Sequence, residues 1–339
     1  MNIYGQTVED LAKYFENMGE KKFKAIQVYD WLYKKRVISF DDMSNVKKSV
    51  IEKLKDDFTL SLPEIIKRED GKDVHKYLFR LTDGNLVEAV LMVHDYGNSL
   101  CVSSQVGCNM GCAFCESGRL KKKRDLDTDE MVGQILAVQD DLNLRISHVV
   151  LMGIGEPFDN YDNVMKFVKI INCPKGIDIG ARHITISTCG IVPKIKEFAD
   201  EGLQVNLAIS LHAPNDVLRT RLMKINKVYK LHEVIEAVKY YINKTNRRVT
   251  FEYIMLKDVN DNEKCALELA SLIKGLNAYV NLIPYNETSH IEFKKTNNEK
   301  VMKFYDILKR NKINVTVRRE FGSEVSAACG QLRANEEGQ

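Results

Sequence analysis

The chain changes its hydrophobic period twice along its length. Residues 1–75 follow a helical period in short pieces. TVED at 7–10 pairs Thr7 with Asp10 as a capping box ahead of Leu11, Tyr14 and Phe15. In FKAIQVYDWLYKK, Ile26, Tyr29 and Tyr33, with Val28 and Leu32, recur at helical spacing. SFDDM at 39–43 predicts a further helix start, with Ser39 and Asp42 as caps. Next, KYLFRL and LVEAVLM flank Asp83-Gly84, which predicts a β-hairpin.

From residue 100 the pattern alternates between short apolar runs and amphipathic stretches. The strand-like runs are 100–104, 146–152, 183–188, 204–211, 248–256, 279–285 and 313–318. The helical stretches lie near 161–172, 191–201, 231–244, 261–275 and 297–311, with another opening at Asp127 and Glu130 and running through Met131, Ile135, Val138 and Leu142. Strict alternation predicts parallel βα units, an α/β fold. About six units are too few for an eight-fold barrel. An open, partial (βα)6 barrel is the first expectation. A doubly wound sheet is the second, but it calls for a glycine-rich phosphate loop after the first strand. The expected organisation is a helical accessory segment over 1–75, a β-hairpin extension over 76–100, and the barrel over 101–335.

Composition adds limits. The chain has 339 residues, 44% hydrophobic and 29% charged, as expected of a globular protein. The first residues carry acids and no long apolar run, and no segment reaches the ~18 apolar residues of a membrane span. A cytoplasmic protein without membrane contact is expected. Eight cysteines are too sparse for a disulfide scaffold, so they should be thiols, metal ligands or catalytic groups. Net charge is only +3, but RLKKKR at 119–124, KKFK at 21–24 and KKR at 34–36 are local basic runs. Each run on its own reads as a solvated face; together, beside a metal site, they suit a phosphate-bearing partner.

The place a phosphate loop would take is held by GCNMGCAFCESG at 107–118, where Cys108, Cys112 and Cys115 are spaced C-x3-C-x2-C. A structural zinc site takes four protein ligands, and a full iron–sulfur site usually takes four cysteines. No fourth Cys or His lies between 116 and 147. Three thiolates leave one coordination position open, as a catalytic metal centre does.

Chemistry in such barrels sits on loops at the C-terminal strand ends. Those loops read GIGEP (153–157), STCG (187–190), SLHAPND (210–216), PYN (284–286) and SAACGQL (326–332). Taken singly, GIGEP is also a plain turn, His212 a satisfied core histidine, and Cys329 a small buried hydrophobe. Cys173 and Cys265 read as structural, and Cys189 has no partner in the pattern.

Three cysteines at this spacing after the first strand resemble the radical S-adenosylmethionine (SAM) superfamily. LCVSSQVGCNMGCAFC, GIGEPFDNYDNVM, GARHITISTCGIVP, VNLAISLHAPND, RVTFEYIML, VNLIPYN and AACGQL, in that order, are similar to the RlmN family of adenine-C2 RNA methyltransferases. The C8-acting Cfr enzymes are close relatives. The resemblance runs from about residue 8 to 335.

It implies a [4Fe–4S] cluster on Cys108, Cys112 and Cys115, with SAM on the open iron. Gly155 and Glu156 match the pair that holds the SAM amino end. Ser187, Ser210, Leu211, His212 and Asn286 match further SAM contacts. Cys329 resembles the cysteine that is itself methylated, and Cys101 the partner that closes a transient disulfide with it. Glu88 matches a position proposed as a proton acceptor. Two SAM molecules per turnover are implied, one to methylate Cys329 and one to generate the radical that activates that methyl group.

The implied partners are 23S rRNA near the peptidyl-transferase region, tRNA at the adenine next to the anticodon, and a flavodoxin-type electron donor. A monomer is expected. The sequence departs from the family at ESG after Cys115, at Cys189 where serine is usual, and before the alanines of SEVSAACGQL. The alternatives are the C8-methylating enzyme, another radical SAM enzyme such as a protein-activating one, and a non-catalytic RNA-binding protein holding zinc.

Overall fold

In a computed structural model of the chain, residues 1–119, 121–288, 290–318, 332 and 333 are described. Helix α1 (Val8–Asn17) starts at the expected capping box, Thr7 accepting from the Asp10 N–H. The second helical stretch divides into α2 (Phe23–Tyr29) and a wider π turn over Asp30–Lys34. The wider turn brings Tyr29 and Tyr33 into edge contact at 4.8 Å, and their hydroxyls donate to the Gln6 and Tyr4 carbonyls. At SFDDM only a single 3-10 turn forms, Phe40–Asp42. The chain is then tied down at Asn45, whose carbonyl and side chain accept from Gln27 and Trp31. Helix α3 (Lys48–Asp57) completes the helical part.

Residues 64–75, placed with the helical segment from sequence, are extended instead. Strand β1 (Glu64–Asp70) pairs antiparallel with β2 (Val74–Arg80). Strand β1 is an edge strand reading EIIKRED, and its charges hide the period-2 signal. The hairpin at Asp83-Gly84 joins β2 to β3 (Leu86–His94), and β3 pairs antiparallel with β4 (Gly97–Cys101). A short ribbon of β5 (Gln105–Val106) and β6 (Arg124–Asp125) then closes the base of the cysteine loop.

The alternating units follow as read. They are α4 (Thr128–Leu142), β7 (Ile146–Leu151), α5 (Tyr161–Asn172), β8 (Ile184–Thr188), α6 (Val192–Asp200) and β9 (Asn206–Ser210). Then come α7 (Asp216–Leu222), α8 (Leu231–Thr245), β10 (Val249–Met255), α9 (Glu263–Leu272), β11 (Ala278–Pro284), α10 (Asn298–Arg310) and β12 (Val315–Val317). The main sheet has ten strands in the order β1-β2-β3-β4-β7-β8-β9-β10-β11-β12. From β4 to β12 every neighbour is parallel, which makes the expected open, partial barrel.

The antiparallel strands β1–β3 extend the same wall rather than forming a separate appendage. One contiguous apolar core runs from Ile3, Leu11 and Tyr29 in the helical part through Val149 and Ile186 to Val315. Asp10–Lys166 and Arg36–Asp140 ion pairs join the helical part to α5 and α4 at the surface.

Strand β4 continues as an irregular extension, Val102–Ser104, held from α4. Gln134 is fully buried; its amide accepts the Ser103 N–H at 2.9 Å and donates to the Ser103 carbonyl at 3.0 Å. Gln134→Ala strands both backbone groups away from water, at about 1–3 kcal/mol each. The thermal midpoint of the purified protein should fall by roughly 3–8 °C in a calorimetric scan.

Candidate active site

The C-terminal strand ends surround a cavity of about 360 Å³. Its lining includes Cys108, Cys112 and Cys115 from the cysteine loop, Gly155 and Glu156 after β7, and Ser187 on β8. Ser210 and His212 at the end of β9, and Asn286 after β11, face it too. So do Glu88 on β3 and Cys101 at the end of β4. Leu211 does not: its side chain is fully buried in the apolar core. Strand β9 ends at Ser210 and His212 takes a left-handed turn, so Ser210 and His212 reach the cavity while the Leu211 side chain packs into the core. Cys329 lies outside the described residues.

The cysteine loop is built by close backbone packing. A Cβ at Gly118 would meet the Cys112 carbonyl at 2.9 Å, so the loop folds back on itself only with glycine there. The Ala113 N–H donates to the Leu222 carbonyl and pins the loop to α7. Burial pushes the Cys108 thiol up to about 12, and the neighbouring cysteines add to it; Cys112 and Cys115 move the same way. Buried thiols that repel one another as thiolates are the donor set a soft metal centre takes up, because the ion supplies the missing positive charge. Among the described residues no three His, Cys, Asp or Glu side chains are gathered tightly enough to hold one ion, so the thiols line the wall without closing on a common point. The described cysteines are all free thiols, Cys101 and Cys189 included.

Opposite the loop sits Glu156, only 3% exposed. Its two oxygens accept the backbone N–H groups of Phe158 and Cys189, at 3.0 and 2.7 Å. Burial raises this carboxyl, and the Cys189 N–H pulls it back. Gly155, at φ +113°, lies so close to Gln105 that a Cβ would stand 2.8 Å from the Gln105 nitrogen. The Gln105 side chain in turn accepts the Glu156 N–H at 2.8 Å.

His212 is in the left-handed region at φ 58°, 6% exposed, with Nδ1 accepting the Ile254 N–H at 3.1 Å. Burial and the Arg219 cation push it down to about 3, so it is a neutral imidazole with its proton on Nε2. Cys189, left without a partner by sequence reasoning, is the hinge of a buried chain: its N–H serves Glu156 and its carbonyl accepts from Arg219 at 2.6 Å. Arg219 reaches on to Asn226, which holds Asp216.

Sequence reasoning passed over several groups that face the cavity. Lys76 on β2, Glu252 on β10 and Arg318 after β12 are charged side chains inside strand-like runs. Glu116 is buried beside Cys115; its carboxylate accepts from Thr288 at 2.5 Å and lies 3.3 Å from Arg119. Among the described residues the lining offers four carboxylates, Glu88, Glu116, Glu156 and Glu252, and two cations, Lys76 and Arg318. That balance suits a ligand carrying positive charge, as the ammonium and sulfonium of SAM do.

The basic runs are less available than their sequence suggests. Arg119, Lys122 and Arg124 pair with Glu116, with Asp125 and Asp159, and with Asp83 and Glu130. Lys121 and Lys123 remain exposed. Lys34 and Lys35 pair with Asp30, and Lys35 also stands 3.4 Å above the Trp31 ring. No helix among the described residues is long and apolar enough to cross a membrane.

Comparison with known proteins bears on this arrangement. The radical SAM superfamily profile matches residues 102–270, and the profile of the ribosomal RNA large subunit methyltransferase N-terminal domain matches residues 1–60. A protein of Listeria monocytogenes is 57% identical over 99% of this chain and 94% of its own length; it bears the name "Probable dual-specificity RNA methyltransferase RlmN". The chain belongs to the RlmN family. A like-named protein of Acholeplasma laidlawii is 52% identical over 98% of this chain and 99% of its own. The crystal structure of a radical SAM methyltransferase from Sphaerobacter thermophilus superposes with a TM-score of 0.92 at 39% identity, covering 98% of both chains. Membership in this radical SAM family implies a [4Fe–4S] cluster and SAM as cofactors. The three-thiol loop, the open wall beside it and the excess of carboxylates fit both groups.

Proposed function

We propose that the protein methylates C2 of an adenine in RNA, in 23S rRNA and in tRNA, by way of a methylated cysteine. The observation that carries this reading is that Cys101, a free thiol with no place in a metal loop, opens into the same cavity as Cys108, Cys112, Cys115 and Glu156. An ordinary methyl transfer needs a nucleophile at the acceptor, and C2 of adenine is electrophilic. A cysteine that carries the methyl group as an intermediate removes that obstacle, and a second cysteine is then needed to release it.

When bound, the cluster and SAM supply the methyl group and the radical that activates it. Cys108, Cys112 and Cys115 would hold the cluster. Gly155 and Glu156 would hold the SAM amino group, by backbone approach and by charge. Ser187, Ser210, His212 and Asn286 complete the wall around it, with His212 a neutral donor through Nε2. Leu211 would contribute packing behind Ser210. In this reading Cys329 carries the methyl carbon to the base. Once that carbon joins sulfur to C2, the adduct must give up the C2 proton and the one electron left by the radical addition. Glu88 and Cys101 are the candidate proton acceptors, and the electron would return to the bound cluster. The Cys101 thiolate then attacks the Cys329 sulfur. The S–S bond forms, the S–CH₂ bond breaks, and its electron pair stays on the carbon, which takes a proton to become the methyl group.

Exposed Lys121 and Lys123 beside the loop, and the helical segment of 1–60, are the surfaces offered to a folded RNA. The target base would have to leave its stack to reach a cavity this deep. A reductant of the flavodoxin type would supply the electrons.

The test is nucleoside analysis by mass spectrometry. The anaerobically loaded protein, SAM, a reductant and an unmodified 23S rRNA fragment are incubated and the RNA digested. 2-Methyladenosine is expected, and with a tRNA substrate as well. Appearance of 8-methyladenosine alone would replace the C2 reading by the C8 one, and loss of all methylation by an intact, iron-loaded sample would remove RNA as the substrate.

A further inference from the structure

Lys76 is the residue that the cluster and SAM chemistry leaves unexplained. It projects from β2 into the cavity, with no exposure to solvent, among Val74, Val90 and Met92. A buried ammonium is retained only where it is paired, and where it serves something that an apolar side chain would not. Its Nζ lies 3.2 Å from Glu88 Oε2. The other Glu88 oxygen accepts the Arg333 N–H at 2.6 Å, so the carboxylate is held from two sides.

The strand register shows what this pair faces. Lys76 stands opposite Val90, and Val90 stands opposite Cys101. Directly opposed residues of antiparallel strands share a face. Lys76, Val90 and Cys101 therefore form one row across three strands, all turned into the cavity. At ~4.8 Å per strand the row is about 10 Å wide. At that range, in a low-dielectric interior, one charge strongly influences another.

Resting on the reading of Cys101 as the thiol that releases the product, we propose that Lys76 is a positioning residue for that thiol. Its ammonium, anchored on Glu88, stabilises the Cys101 thiolate that must attack. Among the described residues the charged groups that share the cavity wall with Cys101 come from four elements: Lys76 on β2, Glu88 on β3, Glu252 on β10, and Arg318 after β12. Burial pushes the Cys101 thiol up to about 11, Arg318 and the Met152 N–H pull it down, Glu88 pushes it up and Lys76 pulls it down. Lys76 and Glu88 thus act on the thiol with opposite sign, and each offsets the other.

That opposition gives a test that a merely structural role would not pass. Full-length, cluster-loaded protein is treated with iodoacetamide across a pH series without RNA or SAM. Modification of Cys101 is followed by peptide mass spectrometry. Its rate tracks the thiolate fraction, which grows tenfold per pH unit below the midpoint. Lys76→Met is expected to slow modification at pH 8 about tenfold, equivalent to a one-unit rise of the midpoint. Lys76→Arg should restore the wild-type profile, and Glu88→Gln should move it the opposite way, towards lower pH. An unmoved profile, or a shift of the same sign in Lys76→Met and Glu88→Gln, overturns the proposal. Should Lys76→Met fail to fold, Lys76→Gln is read in the same assay, with the same rise of the midpoint expected and an unmoved profile overturning the proposal. Failure of the underlying reading looks different: Cys101→Ser would still give 2-methyladenosine at the wild-type rate, while Lys76→Met and Glu88→Gln, each with Cys101 in place, would still shift its alkylation profile in opposite directions.

Discussion

Cys329→Ala is expected to lower 2-methyladenosine formation at least about a thousand-fold, whereas Cys101→Ala is expected to stop later, with RNA held covalently on the protein. In the proposed reading the first variant removes the atom that carries the methyl carbon, and losses of that size are usual when a covalent catalytic group is deleted. Among the described residues that line the cavity the remaining thiols are Cys101, the three of the cysteine loop, and Cys189, whose backbone is engaged with Glu156 and Arg219; in the proposed reading Cys101 serves only to release the product, so none of them takes over as carrier. The second variant keeps the carrier and the cofactor sites but lacks the sulfur that cleaves the S–CH₂ bond. The arrested species would run as a protein–RNA band in denaturing gels and vanish with ribonuclease. Double replacement of Cys101 and Cys329 should show neither product nor band. A band that persists in Cys329→Ala would place the attachment elsewhere.

Gly155→Ala is expected to weaken SAM binding by tenfold or more while the three-cysteine loop still takes up iron. Two causes add. A residue with a Cβ is strained at φ +113°, by about 1–3 kcal/mol. The new methyl would also stand 2.7–2.8 Å from the Gln105 side chain and nitrogen. The chain must then move, and it carries Glu156 with it, because the Glu156 N–H is tied to Gln105 at 2.8 Å. Tenfold corresponds to about 1.4 kcal/mol, less than the strain and overlap together. Equilibrium dialysis with labelled SAM on anaerobic protein, alongside iron and sulfide analysis, separates the two effects. Loss of iron together with SAM would mean that the displacement reaches the cysteine loop.

Much of this arrangement is legible in the sequence, and the failures have physical causes. The parallel strands stand out because strands covered on both faces are short apolar runs, and helices alternate with them. The cysteine loop is legible because its ligands are close in sequence. Strand β1 is not, since an edge strand can carry charges on both faces. Lys76, Glu252 and Arg318 look like ordinary polar positions in their runs, and only the curvature of the sheet turns them inward. Leu211 lies in the motif, but its side chain packs into the core just past the end of β9, where no sequence pattern announces the left-handed turn at His212. The run at 119–124 looks like an RNA surface because its partners, Asp83 and Asp159, come from distant parts of the chain.

The antiparallel strands β2 and β3 supply Lys76 and Glu88 to a cavity otherwise built on the parallel barrel. The border between accessory segment and catalytic domain therefore runs through the reaction chamber itself. An isolated barrel starting near residue 100 would be a vessel with one side missing, its β4 edge unpaired and open to association with other chains. The two parts share a single sheet and a single apolar interior, so they should melt together in one transition.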